Sequence, residues 1–354
     1  MPVTSISVDN ELLSSVAIVS ADKARDLNHE VTPFLAEQER IRGAGQPNAT
    51  TGAKWIQGMG TGTHSKATRQ RTGYEEIDLS VTGVLTPLTL TPAEVIFPVA
   101  ISEVEEDLNG GENQIIELAG KRTSQVMGKA KRDTEKQFIL GGVTGFEDWN
   151  SLNGTDITTT NAGGYIEHAA VGSQNNSIGG FSKATYSALP GAQNQSYDGA
   201  DSANANLLPG LAQILTKIKA RADEDMSGIS VIGSESGIEN YKRMVQANER
   251  YVDADKLDAL NMKLAIGGAL ASTSTYMPDA GTNSTASPWT FLILDFMAIY
   301  AKWSKVKRDG YFGFKDFITV SGVHNVRAAQ ICVRGQLWVE TFASSGLLHS
   351  AETY

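Results

Sequence analysis

A chain of 354 residues is long enough for one large domain or two ordinary ones, and folded as one body it buries roughly 75% of its unfolded surface, so it needs no disulfide or metal staple. Its formal net charge of −10 is the reverse of the basic excess that marks a free-standing nucleic-acid binder. Its single cysteine, Cys332, excludes a disulfide framework and any Cys-based zinc cluster, while its 35 glycines exceed the usual ~7%.

In chain order, Glu11 to Arg42 is charged and helix-prone, with Pro33 as a break. Gly43 to Gly62 is rich in Gly, Thr and Asn, with Trp55 and Ile56 as its apolar anchors. Ile77, Leu79 and Val81 then alternate with polar residues, and Pro87 and Pro92 punctuate Val84 to Phe97, as in edge strands or hairpin arms. The stretch from Gly45 to Pro98 therefore reads as a long protruding β-loop, too polar at its base for a buried sheet. An acidic cluster (Glu103, Glu105, Glu106, Asp107) precedes the longest helical segment, Glu112 to Leu140, which Gly141 and Gly142 terminate. Ile115, Leu118, Ala119, Val126 and Ala130 make a narrow apolar stripe on it, so the helix is expected to span a surface rather than fill a core. Val143 to Asn206 is dominated by Gly, Asn, Ser and Thr and is read as a loop or β-rich insertion ordered by neighbours.

The rest of the chain is more regular. Leu208, Leu211, Leu215, Ile218 and Ala222 step by three and four, an amphipathic helix. Ile229 to Ile232 is a short buried strand, and Ser236 to Glu239 fits a capping box opening a helix to about Asn248. Thr290 to Asp295 and Met297 to Trp303 are apolar segments. Ala329 to Val339 alternates as one long half-buried strand, with Gln330, Arg334, Gln336 and Glu340 on its polar face.

Chemistry is absent from these patterns. Gly58, Gly60 and Gly62 lack the Lys-Ser/Thr of a phosphate loop and read as a flexible loop. Gly233 to Gly237 has Glu235 where a nucleophile elbow needs serine. His29, His64, His168, His324 and His349 share no metal-ligand spacing, Cys332 reads as a buried thiol, and Glu75-Glu76 and Glu105-Glu106 read as solvated pairs. Bases on the long helix alternate with Glu117, Asp133 and Glu135, which suits ion pairs or solvation rather than phosphate binding. No catalytic, cofactor-binding or metal-ligating residue is assigned, and no enzyme activity is expected. Met1 to Asn10 carries no secretory signal, and no run of ~18 apolar residues occurs; a soluble, intracellular chain is expected.

The order of arm, β-loop, very long helix, polar insertion, helix–strand–helix and long terminal strand resembles the major capsid proteins of tailed bacteriophages, the Hong Kong 97-like fold. Glu112 to Gly142 is similar to that family's spine helix, including Glu135 to Gly142 at its end. Gly179-Gly180-Phe181-Ser182-Lys183-Ala184-Thr185 looks like the motif before its central helix, and Leu211 to Ser236, with Tyr241, Arg243, Arg250 and Tyr251, looks like its axial segment. The resemblance implies an α+β fold divided as follows: an N-terminal arm over 1–44, an extended β-loop over 45–100, and a peripheral domain over 101–142 and 314–342. It places a polar insertion over 143–206 and an axial domain over 207–313 and 343–354. It implies a structural subunit that self-assembles into pentamers and hexamers of an icosahedral shell. That shell would enclose double-stranded DNA without sequence-specific binding, be built in the host cytoplasm and end in the virion, with no membrane. A separate scaffolding protein, a portal and a decoration protein are the implied partners, and no cofactor is. Relatives that cross-link a loop lysine to a neighbour's asparagine make Lys66 a weak candidate with no nameable partner. The alternatives are an encapsulin-type nanocompartment shell and, more remotely, a monomeric hydrolase or carbohydrate-binding protein.

Overall fold

The computed structural model describes residues 32–42, 54–62, 83–108, 118–153, 164–167, 169–198, 207–220, 228–248, 265–266, 269–277, 289–304, 312–319 and 326–349. Expectations for Ile77 to Val81, Glu112 to Glu117, Lys66, His29, His64, His168, His324 and Glu75-Glu76 fall outside these residues.

Two sheets organise the chain. A four-stranded sheet is built around β13 (Val326–Val339). On one side β13 pairs antiparallel with β3 (Ala93–Ser102); on the other it pairs with β12 (Phe312–Thr319) and then with β11 (Ile299–Trp303). A six-stranded sheet runs in the order β6 (Gln195–Asp198), β14 (Ser345–His349), β10 (Trp289–Asp295), β7 (Ile229–Gly233), β9 (Ala269–Thr273) and β8 (Ala265–Ile266). β10 joins β7 and β14 antiparallel, whereas β7–β9 and β14–β6 are parallel.

Periodicity explains most elements. The helix expected around Leu208 to Ala222 lies at Leu207–Lys219, turning Leu207, Leu211, Ile214, Leu215 and Ile218 onto the six-stranded sheet. All five residues of β7 are buried, as an apolar run in a central strand requires. The next helix, Glu235–Asn248, is capped differently from expectation: Ser234, not Ser236, is the N-cap, and its hydroxyl accepts the Gly237 N–H at 3.1 Å. β13 is 14 residues long but is not half-buried as its pattern suggests. Gln336, expected on its polar face, is buried because its amide serves four backbone groups: Oε1 accepts the Asn150 and Leu337 N–H groups, and Nε2 donates to Thr91 O and Asp148 O.

The β-loop differs from expectation in three respects. Its described arms form a ribbon, β1 (Trp55–Gly60) against β2 (Leu85–Leu90), in six consecutive antiparallel pairs. Gly58 and Gly60 therefore lie in a strand rather than a flexible loop. The base is not too polar to be buried: Trp55, Met59, Leu88 and Leu90 are all in the core. Residues 93–100, expected in the loop, are sheet strand β3 paired with β13. Pro87 and Pro98 occupy strands with an open side, where the missing N–H does no harm.

Within the described residues the long helix covers Leu118–Ile139. Gly141 and Gly142 follow it with φ of 80° and 72°, the left-handed conformation that stops a helix. Its last turn does fill a core, contrary to the reading from its narrow stripe. Phe138 lies 5.5 Å from Phe34, 5.6 Å from Trp149 and 5.9 Å from Trp303, ring centre to ring centre. This aromatic hub ties the helix end to three other parts of the chain. Truncating it leaves a cavity that rigid neighbours cannot close. Phe138→Ala should lower the unfolding free energy of the isolated chain by about 3–5 kcal/mol, read by chemical denaturation.

Candidate assembly surfaces and the junctions that hold them

The arms and ribbon of this fold need fixed roots. Four junctions provide them, built from residues whose roles the sequence pattern concealed. For brevity the helices are numbered α1 (Pro33–Arg42), α2 (Glu103–Leu108) and α3 (Leu118–Ile139).

The first junction docks α1. Pro33 does not break this helix but opens it, at the position where proline's missing N–H costs nothing. The free N–H groups of Phe34 and Leu35 donate to the two carboxyl oxygens of Glu135, at 2.7 and 2.9 Å. Glu135, read from the sequence as part of a solvated or ion-paired face, is fully buried in the last turn of α3. Its cue was position: it lies four residues before Ile139 and three before Phe138 on the helix. Further along α1, the Gln38 amide donates to Ala301 O and accepts from Ala301 N, each at 2.8 Å, as a strand would. Arg42 donates to the Phe296 and Met297 carbonyls and stacks 3.5 Å above the Tyr300 ring.

The second junction roots the β-ribbon. Trp55 meets Trp338 edge-on at 6.4 Å, and the Lys302 ammonium lies 3.7 Å from the Trp338 ring centre and 5.2 Å from that of Trp55. On the other arm, Thr86 hydrogen-bonds Thr61 and Tyr186, and the Thr89 N–H donates to Gly179 O at 2.8 Å. Gly179 has φ of 55°, and a Cβ there would collide with the Thr89 carbonyl, so the approach requires glycine.

The third junction joins α2 to α3. Glu105 and Arg122 form a two-pronged ion pair at 2.7 and 3.0 Å, and Glu105 also accepts the Ser102 N–H. Glu105, expected to be solvated, is therefore buried, and Arg122 holds its carboxyl below the usual value.

The fourth lies in the segment expected to be an insertion ordered by neighbours. Its described residues are instead packed within the chain: Phe146, Trp149, Leu152, Tyr165, Ile166 and Phe181 are core residues. Hydrogen bonds among its polar side chains complete it. The Glu167 carboxylate accepts the Asn175 and Asn176 N–H groups, and the Asn194 amide spans both backbone groups of Glu167. Gln174 bridges Ala169 O, Asn194 O and Asn194 N, and the fully buried Lys183 ammonium donates to Tyr165 O at 2.7 Å and Asn194 Oδ1 at 3.0 Å.

Among the described residues no three His, Cys, Asp or Glu side chains gather to hold a metal. No helix there is long and apolar enough to cross a membrane. Cys332 and His349 are buried within strands.

No protein-family model and no curated protein sequence matches the chain. Solved structures do. The chain is similar to a subunit of the cyanophage A-1(L) capsid asymmetric unit, with a TM-score of 0.64, 12% identity, and 94% of this chain and 96% of that one covered. The capsid of an empty GTA particle gives a TM-score of 0.56 at 14% identity, covering 93% of both chains. The capsid of Myoviridae phage XM1 gives 0.53 at 12% identity, covering 93% of this chain and 95% of that one. The fold is that of a shell subunit. More narrowly, it is the α+β fold of tailed-phage major capsid proteins, over nearly the whole chain.

The Glu135 junction carries a pH signature. Burial pushes its carboxyl up to about 8 against the pull of the two α1 amides. The native state then binds a proton that the unfolded state releases, so stability falls as pH rises from 4.5 towards 8. The unassembled subunit should lose stability across that window, and Glu135→Gln should flatten the dependence, as read by denaturant titration at several pH values.

Proposed function

We propose that this chain is the major capsid protein of a tailed phage, a structural subunit that assembles with copies of itself into a closed icosahedral shell around double-stranded DNA. The observation that carries the reading is the agreement of fold with capsid subunits over 93–94% of the chain. The architecture supports it. A ribbon only two strands wide is fixed on both arms. Among the described residues β3 and β12 each pair on one side only, leaving backbone groups that a neighbouring copy can use. Ile56, Leu85, Ile96 and Ile318 are exposed in the single subunit, as residues awaiting burial between copies would be.

With residues 93–100 moved from the loop to the sheet, the reading divides the chain into an N-terminal arm over 1–44, an extended loop over 45–92, a peripheral domain over 93–142 and 314–342, a junctional segment over 143–206 and an axial domain over 207–313 and 343–354. The axial domain would gather five or six copies around each symmetry centre. A net charge of −10 suits a container that must not grip its genome, since a basic lining would bind DNA by counterion release. The shell role implies no catalysis and no cofactor, a scaffolding protein, portal and decoration protein as partners, and the virion as destination.

Electron microscopy of the purified protein, with and without the scaffolding protein, tests this directly. Closed shells of uniform size are expected; dispersed monomers under every condition would sink the proposal. Replacing residues 63–82 with a short Gly-Ser linker should leave the circular dichroism and melting of the subunit unchanged while abolishing closed shells. Loss of folding in that variant would contradict the role given to the loop.

A further inference from the structure

Lysine is almost never fully buried unless its charge is answered, yet the Lys183 side chain has 0% exposure. Its Nζ lies 2.7 Å from Tyr165 O, 3.0 Å from Asn194 Oδ1, 3.4 Å from Gln174 Oε1 and 3.6 Å from Glu167 Oε1, with the Phe342 ring 4.9 Å away. The Asn194 side chain is immobilised. Its Oδ1 accepts the Glu167 N–H at 3.0 Å, and its Nδ2 donates to Glu167 O at 2.9 Å and Gln195 O at 3.4 Å. Those backbone partners fix which end of the amide is oxygen and turn that end towards the lysine. A primary amine, a primary amide and a carboxylate, from three separate stretches of chain, thus meet in a water-poor site beside Tyr165, Phe181 and Phe342.

We propose that Lys183 and Asn194 join in an isopeptide bond within the subunit, with Glu167 as proton carrier. The Glu167 carboxylate takes one proton from the Lys183 ammonium, leaving a neutral amine. The nitrogen lone pair attacks Asn194 Cγ; the Nζ–Cγ bond forms and the carbonyl π electrons move to Oδ1. There the Glu167 N–H already donates to the oxygen that becomes negative, as in an oxyanion hole. A second proton passes from Nζ to Nδ2, the Cγ–Nδ2 bond breaks with its electrons going to nitrogen, and ammonia leaves. Glu167 returns its proton, so ammonium is the final by-product. An amine and a primary amide become a secondary amide; nothing is oxidised or reduced, and no co-reactant is needed. Burial assists the first step by lowering the Lys183 ammonium to about 8, which leaves roughly a tenth of the amine neutral near pH 7. Fixed proximity replaces an encounter in solution and is worth several orders of magnitude in rate. The bond closes inside one subunit, so it forms whether or not shells assemble.

Mass spectrometry of the purified full-length chain tests the proposal. The intact mass should be lower than the sequence mass by one ammonia. A chymotryptic digest should yield a branched peptide joining the Lys183 and Asn194 fragments, and a denaturing gel should show a single-subunit band. Lys183→Arg and Glu167→Gln should each restore the full sequence mass. Asn194→Asp should give the same branched peptide with loss of water in place of ammonia. A wild-type chain at full sequence mass would overturn the proposal. So would ammonia loss traced to a succinimide, a branch at Gln174 in place of Asn194, or a ladder of linked subunits. The wild-type measurement stands even where a variant fails to fold.

Discussion

The last turn of α3 is the constraint on which the other parts depend. Phe138 and Glu135 sit there less than one turn apart and serve opposite needs. Phe138 gathers the rings of Phe34, Trp149 and Trp303, and Glu135 satisfies amides at the start of α1 that burial would otherwise leave without partners. Gln137, between them, donates to Trp149 O and accepts the Val143 N–H. One helical turn therefore sets the position of the N-terminal helix, the chain leaving α3 and the four-stranded sheet. The helix upstream of it has only a narrow buried stripe and is held near its start by the Arg122–Glu105 ion pair.

The segment from Tyr165 to Asp198 shows how a polar sequence can behave as a core. Its cohesion does not come from apolar periodicity but from Glu167, Gln174, Lys183 and Asn194, each answering backbone groups at a distance in sequence. Such a network is costly when incomplete and specific when complete. Because Gly179 and Tyr186 from the same segment hold β2, the network also fixes the ribbon. The residues that look most like filler therefore position one arm of the two-stranded ribbon.

This contrast explains what the sequence revealed. The helix at Leu207–Lys219, strands β7, β10 and β13 and the glycine stop after α3 were legible because apolar spacing and glycine are local signals. The overall fold was legible as an order of elements. Glu135, Glu105, Lys183 and Gln336 were not, because burial of a charged or amide side chain is decided by partners as many as 245 residues away. The boundary between loop and sheet was misread at Ala93 to Pro98 for a related reason: alternation is the same in a hairpin arm and in a sheet strand, and only the partner β13 distinguishes them.

The ribbon root has a mechanical consequence. Trp55 and Lys302 brace one arm against Trp338, while Tyr186 and Gly179 brace the other. With both arms held, the described ribbon cannot slide along its length without breaking cross-strand pairs, so these contacts set where its two open ends, at Gly62 and Gly83, stand.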